Sequence, residues 1–259
     1  MRTLAGFAYH GFVGHWGSPI DDTVEPLLDE YRRSSAEGRG GFAQSGATFA
    51  VLHSLFAYRP LAQVAALADD LVATFDRLGE VAFGQRSGLV RQAVADLAAG
   101  SDSLRGAWFD VGAWEPDPGR PRQGEFAAVV HTVRSFVALV QGDSATAADA
   151  VGRAAAQIRT APGESAVGVH YFHAALVAAD AVAAADTTSR RKARRAVARG
   201  LERLRSVTIH PEEGVGGARI ALIDALAAQA SGDDGRAALH FDKAHQLAVA
   251  AGAFAEVAL

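Results

Sequence analysis

Two stretches share one pattern: Gly142-Asp143-Ser144-Ala145-Thr146-Ala147-Ala148-Asp149-Ala150-Val151-Gly152-Arg153-Ala154 and Gly232-Asp233-Asp234-Gly235-Arg236-Ala237-Ala238-Leu239-His240-Phe241-Asp242-Lys243-Ala244. In each, a glycine is followed by alanine at +5, a larger apolar residue at +9 (Val151, Phe241) and alanine at +12. A tight turn needs the glycine. Small alanines let two helices approach closely, and the bulkier position fills the groove between neighbours. The pattern predicts the turn and second helix of a helix pair, used twice. In an Ala-rich chain such short matches carry weight only beside the periodicity elsewhere. A third, degenerate copy falls around Tyr58 to Asp70.

That periodicity is helical almost throughout. Leu61, Val64, Leu67, Leu71, Phe75 and Leu78 recur every three or four residues, one face of an amphipathic helix. The same spacing runs from Phe126 to Val140, from Ala218 to Ala228 and from Ala237 to Val249, and no period-2 run suggests a strand. Gly17-Ser18-Pro19, Arg59-Pro60, Gly142-Asp143-Ser144, Ala161-Pro162-Gly163 and Gly232-Asp233-Asp234 punctuate the helices. Asp and Ser there suit N-caps, and Pro60 suits a first helical turn. The expectation is an all-α fold of roughly ten helices with short connections. Stacked as antiparallel pairs, they would form a tetratricopeptide-like (TPR-like) α-solenoid.

The segment from Phe109 to Gly124 differs. It carries Pro116, Pro118, Pro121 and three glycines, so it cannot be one continuous helix. It divides the chain into an N-terminal helical half, 1–108, a connecting loop, 109–125, and a C-terminal TPR-like half, 126–259. Trp108, Phe109 and Trp114 are expected to anchor the loop to the core.

Composition removes several function classes. Apolar residues make up 49% of 259, enough for a sizeable core and too many for a disordered chain. Without cysteine there are no disulfides, thiolate metal sites or cysteine nucleophiles. Lys+Arg 25 against Asp+Glu 29 gives a net charge of −4, so no global basic field recruits nucleic acid. Lys192 and Lys243 are the only lysines and asparagine is absent, a bias typical of GC-rich bacterial genomes. The first residues lack the clean apolar stretch of a secretory signal. The most apolar run, Ala174 to Ala185, is broken by Asp180 and falls short of the ~20 residues that a membrane span needs. A cytoplasmic protein without a membrane span is expected.

Several short motifs occur in a familiar order: Gly14-His15-Trp16-Gly17-Ser18-Pro19-Ile20, Glu37-Gly38-Arg39-Gly40-Gly41-Phe42-Ala43, Phe109-Asp110, Phe172-His173-Ala174-Ala175-Leu176, Pro211, Leu222-Ile223-Asp224-Ala225-Leu226-Ala227 and Gly232. Together they resemble the TPR-like helical repeat region of very large bacterial and fungal signalling proteins. Those proteins join a protein-kinase-like domain, a predicted ATPase of the STAND type, this region, and often GAF with histidine-kinase or GGDEF outputs. The resemblance covers nearly the whole chain, and all its motifs are structural. His173 departs from the family's aromatic residue, Val207 stands near its frequent Trp, and Leu226 stands where an acid is common. What the resemblance implies is a connector or sensor scaffold, either a piece of a longer signalling protein or a stand-alone remnant, with catalysis in other domains.

Chemistry-bearing patterns are sparse. His170 and His173 share a helix face, but no third ligand stands at metal spacing. His10 and His15, like His240 and His245, are five apart, a poor fit to one face; His15 beside Trp16 reads as a hydrogen-bonded core or turn residue. Gly214-Val215-Gly216-Gly217 precedes a helix whose N-terminus could hold an anion, yet it lacks a strand and the full dinucleotide motif, and reads as a flexible turn. Ser189-Arg190-Arg191-Lys192 fits S-x-x-K without its partner motifs, and Ser189 reads as an N-cap. The adjacent acids Asp21-Asp22, Asp69-Asp70 and Asp233-Asp234 do not face one another on a helix, so they are poor acid/base pairs. No metal, cofactor or catalytic residue is assigned.

The strongest surface feature is basic. Arg191, Arg195, Arg199 and Arg203 recur every four residues opposite an apolar face of Val197, Gly200, Leu201 and Leu204. Such a stripe is either solvated, neutralised by acids on a neighbouring helix, or a docking surface for an acidic partner, an adjoining domain or an anionic lipid. No aromatic platform interleaves the arginines, which disfavours nucleic acid. Two functions follow. The leading one is a non-catalytic scaffold for protein or interdomain contacts in signal transduction. The other is a small-molecule sensor or unusual enzyme with a pocket between the halves, near Trp108, Trp114, His170, Tyr171 and His173.

Overall fold

The computed structural model describes residues 2–38, 40–101, 103–114, 123–184, 187–208 and 211–251. The helices are α1 (Arg2–Phe12), the single turn α2 (Gly14–Gly17), α3 (Val24–Ala36), α4 (Gly40–Phe56), α5 (Leu61–Leu78) and α6 (Val81–Ala99). They continue with α7 (Gln123–Gln141), α8 (Ser144–Gln157), α9 (Ser165–Ala184), α10 (Thr187–Val207), α11 (Gly214–Ser231) and α12 (Asp234–Ala250). Short 3-10 turns at Ile20–Thr23 and Ile158–Thr160 complete the described elements. Among the described residues there is no strand, only an isolated antiparallel bridge between Arg105 and Asp110. The all-helical expectation holds.

Successive helices pack as pairs: α3 with α4, α5 with α6, α7 with α8, α9 with α10 and α11 with α12. The helices α4, α6, α7, α9 and α11 also touch one another in that order. This inner set explains two kinds of sequence. In α4 every residue from Gly46 to Phe56 is buried, so the helix is apolar nearly all round. In α5, which lies on one side of that set, only Val64, Ala68, Leu71 and Phe75 are buried, a single stripe at helical spacing. Leu61 and Leu78, which belong to the periodic face in sequence, are exposed at the helix ends.

The repeated stretches form the turns of two pairs. Gly142 and Gly232 follow α7 and α11 with φ of 76° and 81°, a left-handed conformation that glycine adopts without a Cβ penalty. Asp143 then caps α8, accepting from the backbone N–H of Ala145 and Thr146; Asp233 caps α12, accepting from Arg236. The alanines at +5 and +12 are buried, whereas Val151 and Phe241 are half-buried. The stretch from Tyr58 to Asp70 is the α4–α5 connection and the start of α5; its turn uses Tyr58 at φ 55° instead of glycine. Pro60 caps α5 from just outside the first turn.

One hydrophobic cluster crosses the mid-chain division. Phe126, Val129, Val133 and Phe136 of α7 join residues of α4, α5 and α6, together with Ala166 and Val169 of α9. A second cluster unites α9, α10 and α11 around Phe172, Leu204 and Ile223. Of the connecting loop, residues 115–122 lie outside the described residues, as does the chain beyond 251. The preceding segment is tied to α6: Asp96 accepts from the Leu104 N–H at 2.7 Å and from the Gln92 amide at 2.8 Å. Phe109 is buried, and Trp114 packs edge-on against Phe126 at 5.4 Å. Trp108 stays exposed and lies under the Arg91 guanidinium at 4.1 Å.

By length and composition alone, Ser165–Val182 of α9 is apolar enough to cross a membrane. The run expected to be most apolar, Ala174 to Ala185, starts further along the same helix. Here α9 lies against α7, α8, α10 and α11, and its apolar character matches that packing.

A Cβ on Gly88 would stand 2.5 Å from the Trp108 carbonyl oxygen, whereas exposed Gly152 in α8 has nothing within 4 Å. Gly88→Ala should therefore lower stability by about 1–3 kcal/mol through overpacking. Gly152→Ala should raise it by about 0.5–1 kcal/mol through helix entropy. Urea-denaturation midpoints that shift in opposite directions are the expected outcome; equal shifts would contradict the close approach of α6 and the loop.

Candidate functional site

The basic stripe lies on the outer face of α10. Val197, Leu201 and Leu204 are buried, and half-buried Gly200 lets α10 press against Ala175, where a Cβ would come within 2.9 Å. Arg191, Arg195, Arg199 and Arg203 are exposed. Ser189 is not the N-cap expected from the sequence, because α10 already begins at Thr187. Flanking arginines are used by the fold: Arg194 donates to the Ala230 carbonyl at the end of α11, and Arg205 pairs with Asp224 at 2.8 Å. The four stripe arginines have no ion-pair partner among the described residues. Arg191, Lys192, Arg195 and Arg199 together line a shallow surface depression of about 380 Å³.

Many arginines elsewhere pair with carboxylates, although exposed Arg77 and Arg236 bond only to neutral groups of their own helices. Arg32 pairs with Asp29 at 2.7 Å, Arg59 with Asp21 and Glu25, Arg91 with Asp69 at 2.8 Å, and Arg134 and Arg153 both with Asp149 at 3.0 Å. The adjacent carboxylates of the sequence are thus ion-pair partners or a helix cap, which accounts for Asp21, Asp69 and Asp233 without acid/base chemistry. Among the described residues, no three His, Asp or Glu side chains gather as a metal set.

The residues of the expected inter-half pocket are distributed between two places. Trp108 and Trp114 lie in the loop beside α6 and α7; His170, Tyr171 and His173 lie on α9. None of the five lines the cavities beside α2, on α10 or between α11 and α12. His173 is buried, shares a hydrogen bond with the Ser135 hydroxyl at 2.8 Å and stacks on Phe136. His170 is buried with its Nδ1 unpartnered. Tyr171 is half-buried and joins two apolar clusters.

A different cavity, of about 210 Å³, lies where the α2 segment meets the ends of α9, α10 and α11. His15, Trp16, Ser165, Thr208, Gly216 and Arg219 are among its walls. His15 packs on Trp16 and His53 at 4.6 and 5.5 Å, but neither of its buried ring nitrogens has a hydrogen-bond partner. The expected hydrogen-bonded role of His15 is therefore corrected. The Gly214–Gly217 run is corrected too: it forms the first turn of α11 instead of a flexible turn. Small residues are needed there because a Cβ on Gly216 would meet the Thr208 side chain at 2.5 Å. Sequence reasoning missed Ser165 and Arg219; their only signal was polarity within apolar helices.

Between α6, α7 and the start of α9, Arg86 bridges Glu125 at 2.9 Å and Glu164 at 3.4 Å. Burial pushes Glu164 up to about 8 against the pull of Arg86, with Glu125 adding to the rise. Burial has the opposite effect on imidazoles. It lowers His15, His131 and His170 to about 4, the nearby arginines adding to the shift at His131, and takes His53 and His173 well below 6.5.

For a histidine lowered by folding, the unfolded chain takes up the proton first, so its stability is present above pH 6.5 and is lost as pH falls toward 4. Glu164 runs the other way, its contribution shrinking as pH rises from 4.5 to 8. Five imidazoles outweigh one carboxyl. The melting temperature should fall steadily from pH 6.5 to 4.5, with a shallower slope in His15→Gln. A flat thermal-melt profile over that range would refute neutral burial of the histidines.

No family model, no curated protein and no solved structure matches the chain.

Proposed function

We propose that this chain is a non-catalytic helical-repeat scaffold that docks an acidic protein segment, from a partner or an adjoining domain of the same polypeptide, on the outer face of α10. The carrying observation is that four arginines in line on one helix face have no ion-pair partner among the described residues, whereas Arg32, Arg91, Arg134 and Arg205 each pair with a carboxylate. Like charges at i,i+4 repel by a few tenths of a kcal/mol. A protein segment carrying carboxylates would relieve that repulsion and form charge-assisted hydrogen bonds.

The helix arrangement supports a repeat reading. The pairs α7/α8, α9/α10 and α11/α12 are consecutive, α7 touches α9, and α9 touches α11. Left-handed glycines turn the first and third of these pairs. We read them as antiparallel TPR-like units of a solenoid, an architecture in which each unit contacts its neighbours and extended surfaces remain for partners. The resemblance to the helical region of multidomain signalling proteins points the same way, toward a relay whose chemistry resides in other domains.

Charge reversal tests the reading. A fluorescent deca-glutamate peptide should bind the wild-type chain in low salt and weaken as salt screens the stripe. Arg191→Glu/Arg195→Glu/Arg199→Glu should weaken that binding at least tenfold and remove the main partner recovered from source cells, with an unchanged melting temperature. Identical peptide affinity and an identical partner set in the variant would overturn the proposal.

A further inference from the structure

The cavity between the α2 segment and the ends of α9, α10 and α11 gathers backbone N–H groups that have no partner among the described residues. Gly214, Val215 and Gly216, the first turn of α11, line it. Their N–H groups precede the first intrahelical bond, which runs from Gly217 to the Glu213 carbonyl, and the Glu213 side chain does not cap them. A helix N-terminus of this kind favours negative charge.

Three side chains converge on the same space. Ser165 is only 3% exposed, lines the cavity, and its hydroxyl has no partner. His15 brings two buried, unpartnered ring nitrogens. Arg219 adds a guanidinium, which also lies over the Phe172 ring at 5.2 Å. Buried polar groups are nearly always paired in folded proteins, so unpaired ones that share a cavity mark the place of a missing partner. The one carboxylate among the walls, Glu213, is exposed at the rim. Trp16, Val169 and Leu204 supply apolar wall, and about 210 Å³ suits a compact molecule.

We propose that this cavity binds a small organic oxyanion, a phosphate monoester or carboxylate, with its charged group at the N-terminus of α11 between Arg219 and Ser165 and its apolar body against Trp16. The site is separate from the α10 stripe. Because its walls come from both the α2 segment and the C-terminal helices, the ligand ties the start of the chain to α9–α11, and bound ligand raises the folding stability.

Calorimetric titration of the full chain with phenyl phosphate, benzoate and inorganic phosphate, at matched ionic strength, tests the proposal. The expected result is saturable one-to-one binding of phenyl phosphate or benzoate, competed by inorganic phosphate. The preferred probe separates a phosphate site from a carboxylate site. Arg219→Gln should weaken binding at least tenfold. Gly168→Leu, which grows a side chain from α9 toward Trp16, should abolish it. Trp16 fluorescence in a Trp108→Phe/Trp114→Phe background should respond to the probe with the same saturation curve, which locates it without altering the cavity. No saturable binding of any probe, or binding without a Trp16 response, would overturn the proposal. Binding lost in the α10 triple charge reversal but kept in Arg219→Gln would place the anion on the stripe and overturn it as well.

Discussion

The close packing of α4, α6, α7, α9 and α11 against one another is the constraint from which the rest of the structure follows. A helix with neighbours on most sides must be apolar on most sides, and one resting on that set needs only a stripe. The sequence divides accordingly. Buried residues run without interruption through Gly46–Phe56 of α4, whereas α8 buries Ala147, Ala150 and Ala154. Those alanines permit close approach to α7, and the opposite face of α8 is left to solvent and ion pairs.

Such burial leaves little tolerance for polar groups, and the fold satisfies most of them locally. Thr48, Ser54 and Thr132 return their hydroxyl hydrogens to carbonyls of their own helices, at 3.2, 2.7 and 2.8 Å. His53 meets the Thr23 hydroxyl, His173 meets Ser135, and Arg86 joins Glu125 to Glu164. An unsatisfied buried group costs about 1–3 kcal/mol, so groups left over are informative. Around the cavity at α11, His15 and Ser165 are left over together. At the α10 surface the surplus is of another kind: cations already in water, which cost the fold little and remain free to meet an acidic partner.

The helical class, the turns and the caps were legible in the sequence because their signals are local. Turn glycines, capping aspartates and apolar spacing act within a few residues, and Gly142-Asp143, Gly232-Asp233 and the Val64–Phe75 stripe all appear in the fold where the pattern put them. The basic stripe was legible for the same reason, since the spacing of Arg191, Arg195, Arg199 and Arg203 alone sets a shared helix face. Whether a neighbouring helix neutralised it was not, because that depends on where carboxylates of other helices arrive. Asp224 reaches Arg205, and no carboxylate among the described residues pairs with the four stripe arginines.

The sequence by itself determined the helical class, the turns and caps, the amphipathic faces, and the absence of cysteine chemistry. Tertiary structure alone decided that α7 completes a core begun by α4, α5 and α6, so the mid-chain loop does not separate two cores. It also decided that Trp108 and Trp114 pack by the loop while His170, Tyr171 and His173 lie on α9, and that His15, Ser165, Arg219 and the first turn of α11 line one cavity. The physical reason is range. Backbone propensity and helical periodicity act over a few residues, whereas a cavity is assembled by packing among segments some 150 to 200 positions apart, at distances no local pattern encodes.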